Sequence, residues 1–273
     1  MLEKTLKGTT YFMTDLPQKQ SDEKGELRTP YRRCYRPMKD GVNLEWTTAG
    51  YIQDPDYATN GAAYVRSFYH FQEELQYLFK YIEPVSGNLN TYSYAIQQLL
   101  ILVCVEVEAN FKAIFRDNKY TTKEEHNWTI WDYSRINVSH HLSGYGVEFP
   151  QWDVAGHRYY PFKAWEGNRI AVPEWYHAYN HVKHDKDALK EYATFGNLLR
   201  AFVGLFVLQI AQFNRGLMPF YEKGLGIGNY LTVYYPEDWK EDELYSGDWK
   251  QGFRIYDYDA VERKDECWAD AGK

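Results

Sequence analysis

Residues 92–116 read YSYAIQQLLILVCVEVEANFKAIFR, and this stretch decides the fold. It contains neither glycine nor proline over about seven helical turns. Its middle, residues 99–105, is apolar on every side, which is typical of a helix surrounded by other elements. The stretch therefore predicts the central helix of a mainly α protein.

Two further stretches predict helices that pack around the central one. Residues 62–82 carry apolar side chains at the 3.6-residue period, and residues 174–214 follow a proline and start with an acid, which suit a first helical turn. Gly196 predicts a break in the second stretch, and a shorter helix is predicted over 128–138. Together these patterns predict a helical core spanning 62–215.

The segments around and inside this core are irregular. Glycines and prolines are too closely spaced over residues 1–61 for long helices, so an N-terminal arm is predicted. Residues 142–172 predict an insertion in which 145–149 forms a hairpin with 157–162. The core is thus expected to carry a small amount of β structure.

The C-terminal extension, residues 216–273, is acidic. It holds 13 acidic and 7 basic residues, a net charge of -6, within a chain whose formal net charge is -7. A strand is predicted over 230–235. The overall charge argues against a general polyanion binder, so any nucleic-acid site must be local.

Composition favours a folded cytoplasmic protein. Hydrophobic residues make up 44% of the chain and charged residues 25%, and the three cysteines are too scattered for a disulfide framework. Nothing resembles a signal peptide, and Glu106, Arg200 and Arg215 bound the apolar runs, so no membrane span is predicted. P-loop, Gly-x-Ser-x-Gly and His-Glu-x-x-His sequences are missing, which disfavours the enzyme classes that use them.

Basic residues are concentrated within the arm. Five positive charges lie within twelve residues, interleaved with two tyrosines: Arg28, Arg32, Arg33, Arg36 and Lys39. Guanidinium groups bind phosphate and tyrosine rings stack on bases, so Arg32, Arg33 and Arg36 are candidate RNA-binding residues. The alternative is that these side chains lie over an acidic surface of the body.

The densest polar cluster is WYHAYNHVKHD, residues 175–185. On a helix Asn180 and His184 are one turn apart, with Lys183 beside them, which gives an edge rich in protonatable groups. His184 shares a face with two further histidines at a spacing that suits a metal, His177 and His181. No carboxylate or cysteine pattern completes such a site, so neither a metal nor a cofactor is predicted.

Glu106 lies on the apolar stripe of the central helix and is predicted to be partly buried, which requires a partner. Lys183, His184 and Tyr179 are the candidates. Two roles stay open for this carboxylate: a structural buried pair, or tuning of His184. Glu108 is predicted to pair with the lysine four residues later, as is common on helices.

The central VEVEAN, residues 105–110, together with the later YNHVKH, residues 179–184, resembles the HEPN superfamily, all-helical proteins common in bacterial defence and toxin systems. That family's signature is an arginine, then a polar residue that is often asparagine, and a histidine four to six residues after the arginine. Asn180 and His184 match the last two. The arginine is absent, since the positions with four, five and six intervening residues before His184 are occupied by Tyr179, Ala178 and His177.

The resemblance, which covers roughly residues 62–215, implies an RNA-binding protein or metal-independent RNA endonuclease of a defence or toxin–antitoxin type. It implies a site at Asn180, Lys183 and His184. His184 would act as general acid or base, and Lys183 would offset phosphate charge without the bidentate fork of arginine. The alternative is a non-catalytic helical interaction module that keeps the HEPN-like fold and binds a cognate protein.

The resemblance also implies a homodimer that pools two histidines, since an isologous contact brings the same patch from each subunit together. We expect the helix over 173–185 to lie near the twofold axis. Trp175, Tyr176 and Tyr179 would then form the apolar centre of the contact. Alternatively these rings face the protomer's own core, and the protein is a monomer.

Overall fold

A computed structural model describes residues 31–37, 57–120, 123–150, 158–167, 169–185, 189–214, 231–240 and 243. Most of the N-terminal arm over 1–61 and most of the C-terminal extension over 216–273 lie outside the described residues, as does part of the insertion. The described part is mainly helical, as the sequence predicts, with one small sheet. Its helices are α1 (Gly61–Leu78), α2 (Tyr94–Asp117), α3 (Ile130–Tyr133), α4 (Ile136–His140), α5 (Glu174–His184), α6 (Leu189–Tyr192) and α7 (Phe195–Phe213).

Helix α7, and not α2 as predicted, occupies the middle of the bundle, since α2 leaves Leu102 and Val105 exposed on one side. Almost every side chain is buried, and Thr194 caps its start by accepting a hydrogen bond from the Asn197 amide at 3.3 Å. Among the described residues it is the one helix long and apolar enough to cross a membrane, but 94% of its apolar window is buried inside the protein. Its hydrophobicity is thus used in the core.

Helix α2 makes the most extensive contact with α7. Ser93 caps it, accepting from the Ile96 amide at 3.2 Å. Within the contact, three buried amides meet: Gln209 and Gln212 each donate to Asn110 Oδ1, at 3.0 and 2.8 Å. These hydrogen bonds fix the register of the two helices, because a buried amide without a partner is costly.

The helix break predicted near Gly196 lies before this residue, between the end of α5 and the start of α7. The chain leaves α5 after His184, and Gly196 lies in the first turn of α7. The Phe195 and Gly196 amides donate to the Thr91 and Leu89 carbonyls, both at 2.8 Å. A Cβ at Gly196 would lie 3.1 Å from the Leu89 oxygen, so this glycine permits a close approach rather than a helix break. The predicted helix over 128–138 is divided into α3 and α4.

The sheet contains three short antiparallel strands in the order β2-β1-β3: β1 (Gly146–Glu148), β2 (Arg158–Tyr159) and β3 (Thr232–Tyr234). Val147 pairs with Tyr159 on one side and with Val233 on the other. The predicted hairpin and the predicted strand over 230–235 are both confirmed. The sheet joins the insertion to the C-terminal extension.

Residues 31–37, which we call the strap, lie against the helical bundle. The Tyr35 amide donates to the Ala211 carbonyl at 2.8 Å, and the Arg33 amide donates to the Tyr57 carbonyl at 3.1 Å. Both hydrogen bonds cross long sequence separations. The strap is therefore part of the folded core, although it belongs to the predicted arm.

Candidate functional site

Helix α5 separates aromatic from polar side chains. Trp175, Tyr176 and Tyr179 are buried in the protomer's own core, and the Trp175 indole donates to the Pro161 carbonyl at 2.8 Å. The interpretation of these rings as the centre of a dimer contact is therefore wrong. They face inward because α5 packs on both α2 and α7, whose apolar sides they cover.

The opposite side of α5 presents the predicted site residues to solvent. Asn180, Lys183 and His184 are all exposed on its last turns, and we call them the α5 edge. The Lys183 ammonium lies 5.1 Å from the centroid of the Tyr179 ring, an arrangement that favours a cation. Within the described part of the chain, the Asn180 and His184 side chains have no hydrogen-bond partner. The structure thus brings these three polar groups together and leaves them available to a ligand.

Glu106 points away from this edge. Its carboxylate accepts hydrogen bonds from Ser67 of α1 and from Asn110, and burial raises its pKa. The expected partners Lys183, His184 and Tyr179 are not the ones it meets. Tuning of His184 by this carboxylate therefore has no contact to act through.

Glu108 takes the place expected for Glu106. The Tyr176 hydroxyl donates to its carboxylate at 2.7 Å. Burial, and then the charge of Glu108, raise the pKa of both Tyr176 and Tyr179. Residues two positions apart on a helix are separated by about 200° around its axis, so Glu106 faces α1 while Glu108 faces α5. The apolar pattern of the sequence did not indicate which of these two carboxylates faces α5.

The strap arginines are used inside the protein. Arg33 is 1% exposed and forms an ion pair with Asp117, with Gln212 as a further acceptor at 3.2 Å. Arg36 is 5% exposed and donates to the carbonyls of Glu243 and Ser139, at 2.9 and 3.4 Å. Neither guanidinium can meet RNA in this arrangement. The prediction that Arg33 and Arg36 bind RNA is therefore wrong, because internal acceptors satisfy them.

Arg32, the third candidate RNA-binding residue, is half-buried. Its backbone amide donates to Asn118 Oδ1 at 2.8 Å, and its carbonyl accepts from Asn118 Nδ2 at 2.8 Å. This reciprocal pair anchors the strap to the end of α2. Asn118 therefore fixes the position of the Arg32 backbone.

A buried thiol lies in the same strap. Burial raises the pKa of Cys34, but the adjacent His140 and Arg36 lower it more strongly, to about 6. The His140 ring contacts the Arg33 carbonyl through Nε2 at 2.8 Å and the Ser139 hydroxyl through Nδ1 at 2.7 Å. Neither His140 nor Cys34 carries a recognisable spacing signal, which is why sequence reasoning missed this cluster.

Two histidines on α5 approach each other one turn before the edge. His177 Nε2 and His181 Nε2 are 3.3 Å apart, and the Tyr192 ring stacks on His181 with centroids 4.2 Å apart. The described residues contain no group of three or more potential metal-ligating side chains. The four-residue spacing of His177 and His181 is visible in the sequence and indicates that the two rings are neighbours. The sequence pattern placed His184 on the same helix face, whereas the structure pairs only the first two.

A cavity of about 260 Å³ lies at the other end of α5. Arg158 and Arg200 contribute positive charge to its lining, and Glu174 contributes a carboxylate at the first turn of α5. Its lining residue Glu174 is about 9–15 Å along the helix from the residues of the α5 edge, because α5 rises about 1.5 Å per residue. The cavity therefore belongs to a different part of the surface.

Comparison of the chain with models of protein families, with curated proteins and with solved structures gave no match.

Proposed function

We propose that this protein binds RNA and cleaves it without a metal ion at the α5 edge, as a divergent HEPN-like protein of a bacterial defence or toxin–antitoxin type system. One observation carries the proposal. Asn180, Lys183 and His184 are all exposed, while the aromatic residues of the same helix are buried. The polar side of α5 is therefore open to a ligand such as RNA.

The chemistry follows from these side-chain types. His184 accepts the proton of a ribose 2′-hydroxyl as its oxygen attacks the adjacent phosphorus, or protonates the departing 5′-oxygen. Lys183 offsets charge on the phosphate oxygens, and Asn180 donates a hydrogen bond to the ribose or phosphate.

A homodimer is part of the proposal, since one α5 edge presents one histidine whereas the reaction needs both a base and an acid. A twofold contact near the helix over 173–185 supplies the second set. Support comes from the outer face of α2, where Tyr94, Leu102 and Val105 are 73%, 54% and 49% exposed. This apolar face borders α5, because Gln97 of α2 donates to the Val182 carbonyl at 3.2 Å.

The same outer face of α2 supports a second candidate function, a non-catalytic interaction module. Large apolar side chains exposed along one stripe are typical of a surface that binds another protein. In that case the stripe binds a second copy of the chain or a cognate partner. The α5 edge then has no substrate.

The experiment is an incubation of purified protein with mixed RNA in EDTA. His184→Ala is the test variant, and His70→Ala is the matched control, since His70 is an exposed histidine on α1. We expect the wild type and the control to cleave RNA, and His184→Ala to be slower by about 100-fold or more. Absence of cleavage in the wild type, or equal cleavage by all three proteins, would contradict the nuclease.

Lys183→Ala separates binding from cleavage. If the protein binds RNA through this edge, the variant weakens binding even where no cleavage occurs, and does so less at high salt because charge contacts are screened. A protein that neither cleaves nor binds RNA, but whose mass in solution falls when Leu102→Asp is introduced, is the interaction module.

A further inference from the structure

His177 and His181 form a preorganised pair on the exposed side of α5. They are one turn apart, with ring centroids 4.5 Å apart and Nε2 atoms 3.3 Å apart, so the nitrogen corners of the rings converge. His181 is held by the Tyr192 ring, whose plane is within 6° of its own. His177 is exposed, and His181 is partly exposed. Solvent therefore reaches the space between the two nitrogens.

The separation of the two nitrogens matches the coordination of a metal ion. Two imidazole nitrogens bound to one tetrahedral zinc ion, each at about 2.0–2.1 Å, are about 3.3–3.4 Å apart. The observed 3.3 Å falls in this range; without a metal the two nitrogens share one hydrogen bond, whose proton a bound metal ion would displace. The pair is thus spaced for chelation.

We infer that His177 and His181 bind one transition-metal ion of the zinc class, with water completing its coordination. Imidazole suits zinc, copper and nickel, and it does not suit magnesium or calcium, which take oxygen ligands. His184 is left out of the ligand set, consistent with the absence of any group of three ligating side chains among the described residues. The inference does not depend on the proposed ribonuclease, whose chemistry uses no metal.

The affinity is expected to be moderate. Two protein ligands are half of the four found in structural zinc sites, so the dissociation constant should be on the order of 10 µM. Copper(II) should bind more tightly than zinc, following the usual order of divalent metals. A site of this kind binds and releases its metal readily, because it remains open to solvent.

The experiment is a calorimetric titration of the purified full chain with ZnCl₂, after metal has been removed by chelation and desalting. His177→Ala and His181→Ala are the test variants, and His184→Ala is the matched control from the same helix. We expect one zinc ion per chain, roughly tenfold or more weaker binding in the two test variants, and unchanged binding in the control. MgCl₂ should give no binding.

A second readout guards against variants that disturb folding. Electron paramagnetic resonance of the copper(II) form should show two nitrogen ligands in the wild type and in His184→Ala, and one in His177→Ala, whose exposed side chain contributes little to stability. The inference is overturned if zinc does not bind, if it binds equally to His177→Ala, or if His184→Ala removes binding as strongly. None of these outcomes bears on RNA cleavage in EDTA, so the two proposals fail separately.

Discussion

The strap and the α5 edge look alike in sequence and opposite in structure. Each mixes basic side chains with aromatic rings, and both were predicted to meet RNA: the strap from that pattern, and the edge from the resemblance to the HEPN superfamily. In the strap, Arg33 and Arg36 are buried and bonded to acceptors from distant parts of the chain. At the edge, Lys183 and His184 are exposed.

This difference shows that a basic and aromatic pattern does not by itself report where its charges face. The outcome depends on whether the rest of the fold offers acceptors. Asp117 meets Arg33 across 84 residues of sequence, whereas no carboxylate among the described residues forms an ion pair with Lys183. The strap therefore contributes to stability, and the edge is free to contribute to binding.

The largest effect expected from this contrast is in the strap. Arg33→Met leaves the Asp117 carboxylate buried without its cation, which should lower the free energy of unfolding by about 3–5 kcal/mol. Urea denaturation measures it. Lys183→Ala is the matched control from the edge and should change stability by about 0.5 kcal/mol or less. Equal effects of the two substitutions would break the contrast.

The Cys34 thiol in the strap is expected to make the free energy of unfolding depend on pH. In the folded protein its pKa is lowered from 9.0 to about 6, so between these values the unfolded chain binds a proton that the folded chain does not. The stability contributed by Cys34 is thus present above the unfolded pKa and is lost as the pH falls through about 6. From pH 6 to 8 the free energy of unfolding should rise by an increment on the order of 1–3 kcal/mol that Cys34→Ala lacks.

The matched control for this measurement is Cys104→Ala. Cys104 is also a buried free thiol, but burial raises its pKa well above the ordinary value, so it stays protonated in the folded protein over the same pH range. This variant should keep the increment. Parallel pH profiles for the wild type and Cys34→Ala would show that Cys34 does not ionise in the strap.

A smaller effect is expected where the buried side of α5 meets α2. Tyr176→Phe removes the hydrogen bond to Glu108 and should cost about 1–2 kcal/mol of unfolding free energy, because a half-buried carboxylate loses its donor. Thermal or urea unfolding measures the loss. Tyr77→Phe removes an exposed hydroxyl from α1 and should cost less; a Tyr176→Phe loss no greater than this control's would mean that the hydrogen bond to Glu108 adds no stability beyond that of an exposed hydroxyl.

The smallest effect is expected at the edge itself. Asn180→Ala and His184→Ala should each change the free energy of unfolding by about 0.5 kcal/mol or less, since both side chains are exposed and neither has an internal partner. A loss of more than about 1 kcal/mol in either variant would assign these residues a structural role. The edge would then resemble the strap.

Local sequence pattern determined the secondary structure of this protein well. The stretch over 92–116 forms α2, the 3.6-residue period over 62–82 forms α1, and the predicted hairpin and later strand form the sheet. The exposure of Asn180 and His184 also follows from their place opposite the aromatic residues of α5. Each helix and strand depends on residues close together in sequence, whose spacing the sequence displays directly, whereas the pairing of β1 with β3 does not.

Tertiary structure alone decided which polar groups are buried and which partners they meet. Glu106 faces α1 and Glu108 faces α5, the interruption before α7 falls at a contact with the Thr91 and Leu89 carbonyls, and Arg33 is buried against Asp117. Each outcome depends on an element tens of residues away in sequence. A charged side chain is stable inside a protein only where such an element supplies its partner, and helical periodicity carries no information about that partner.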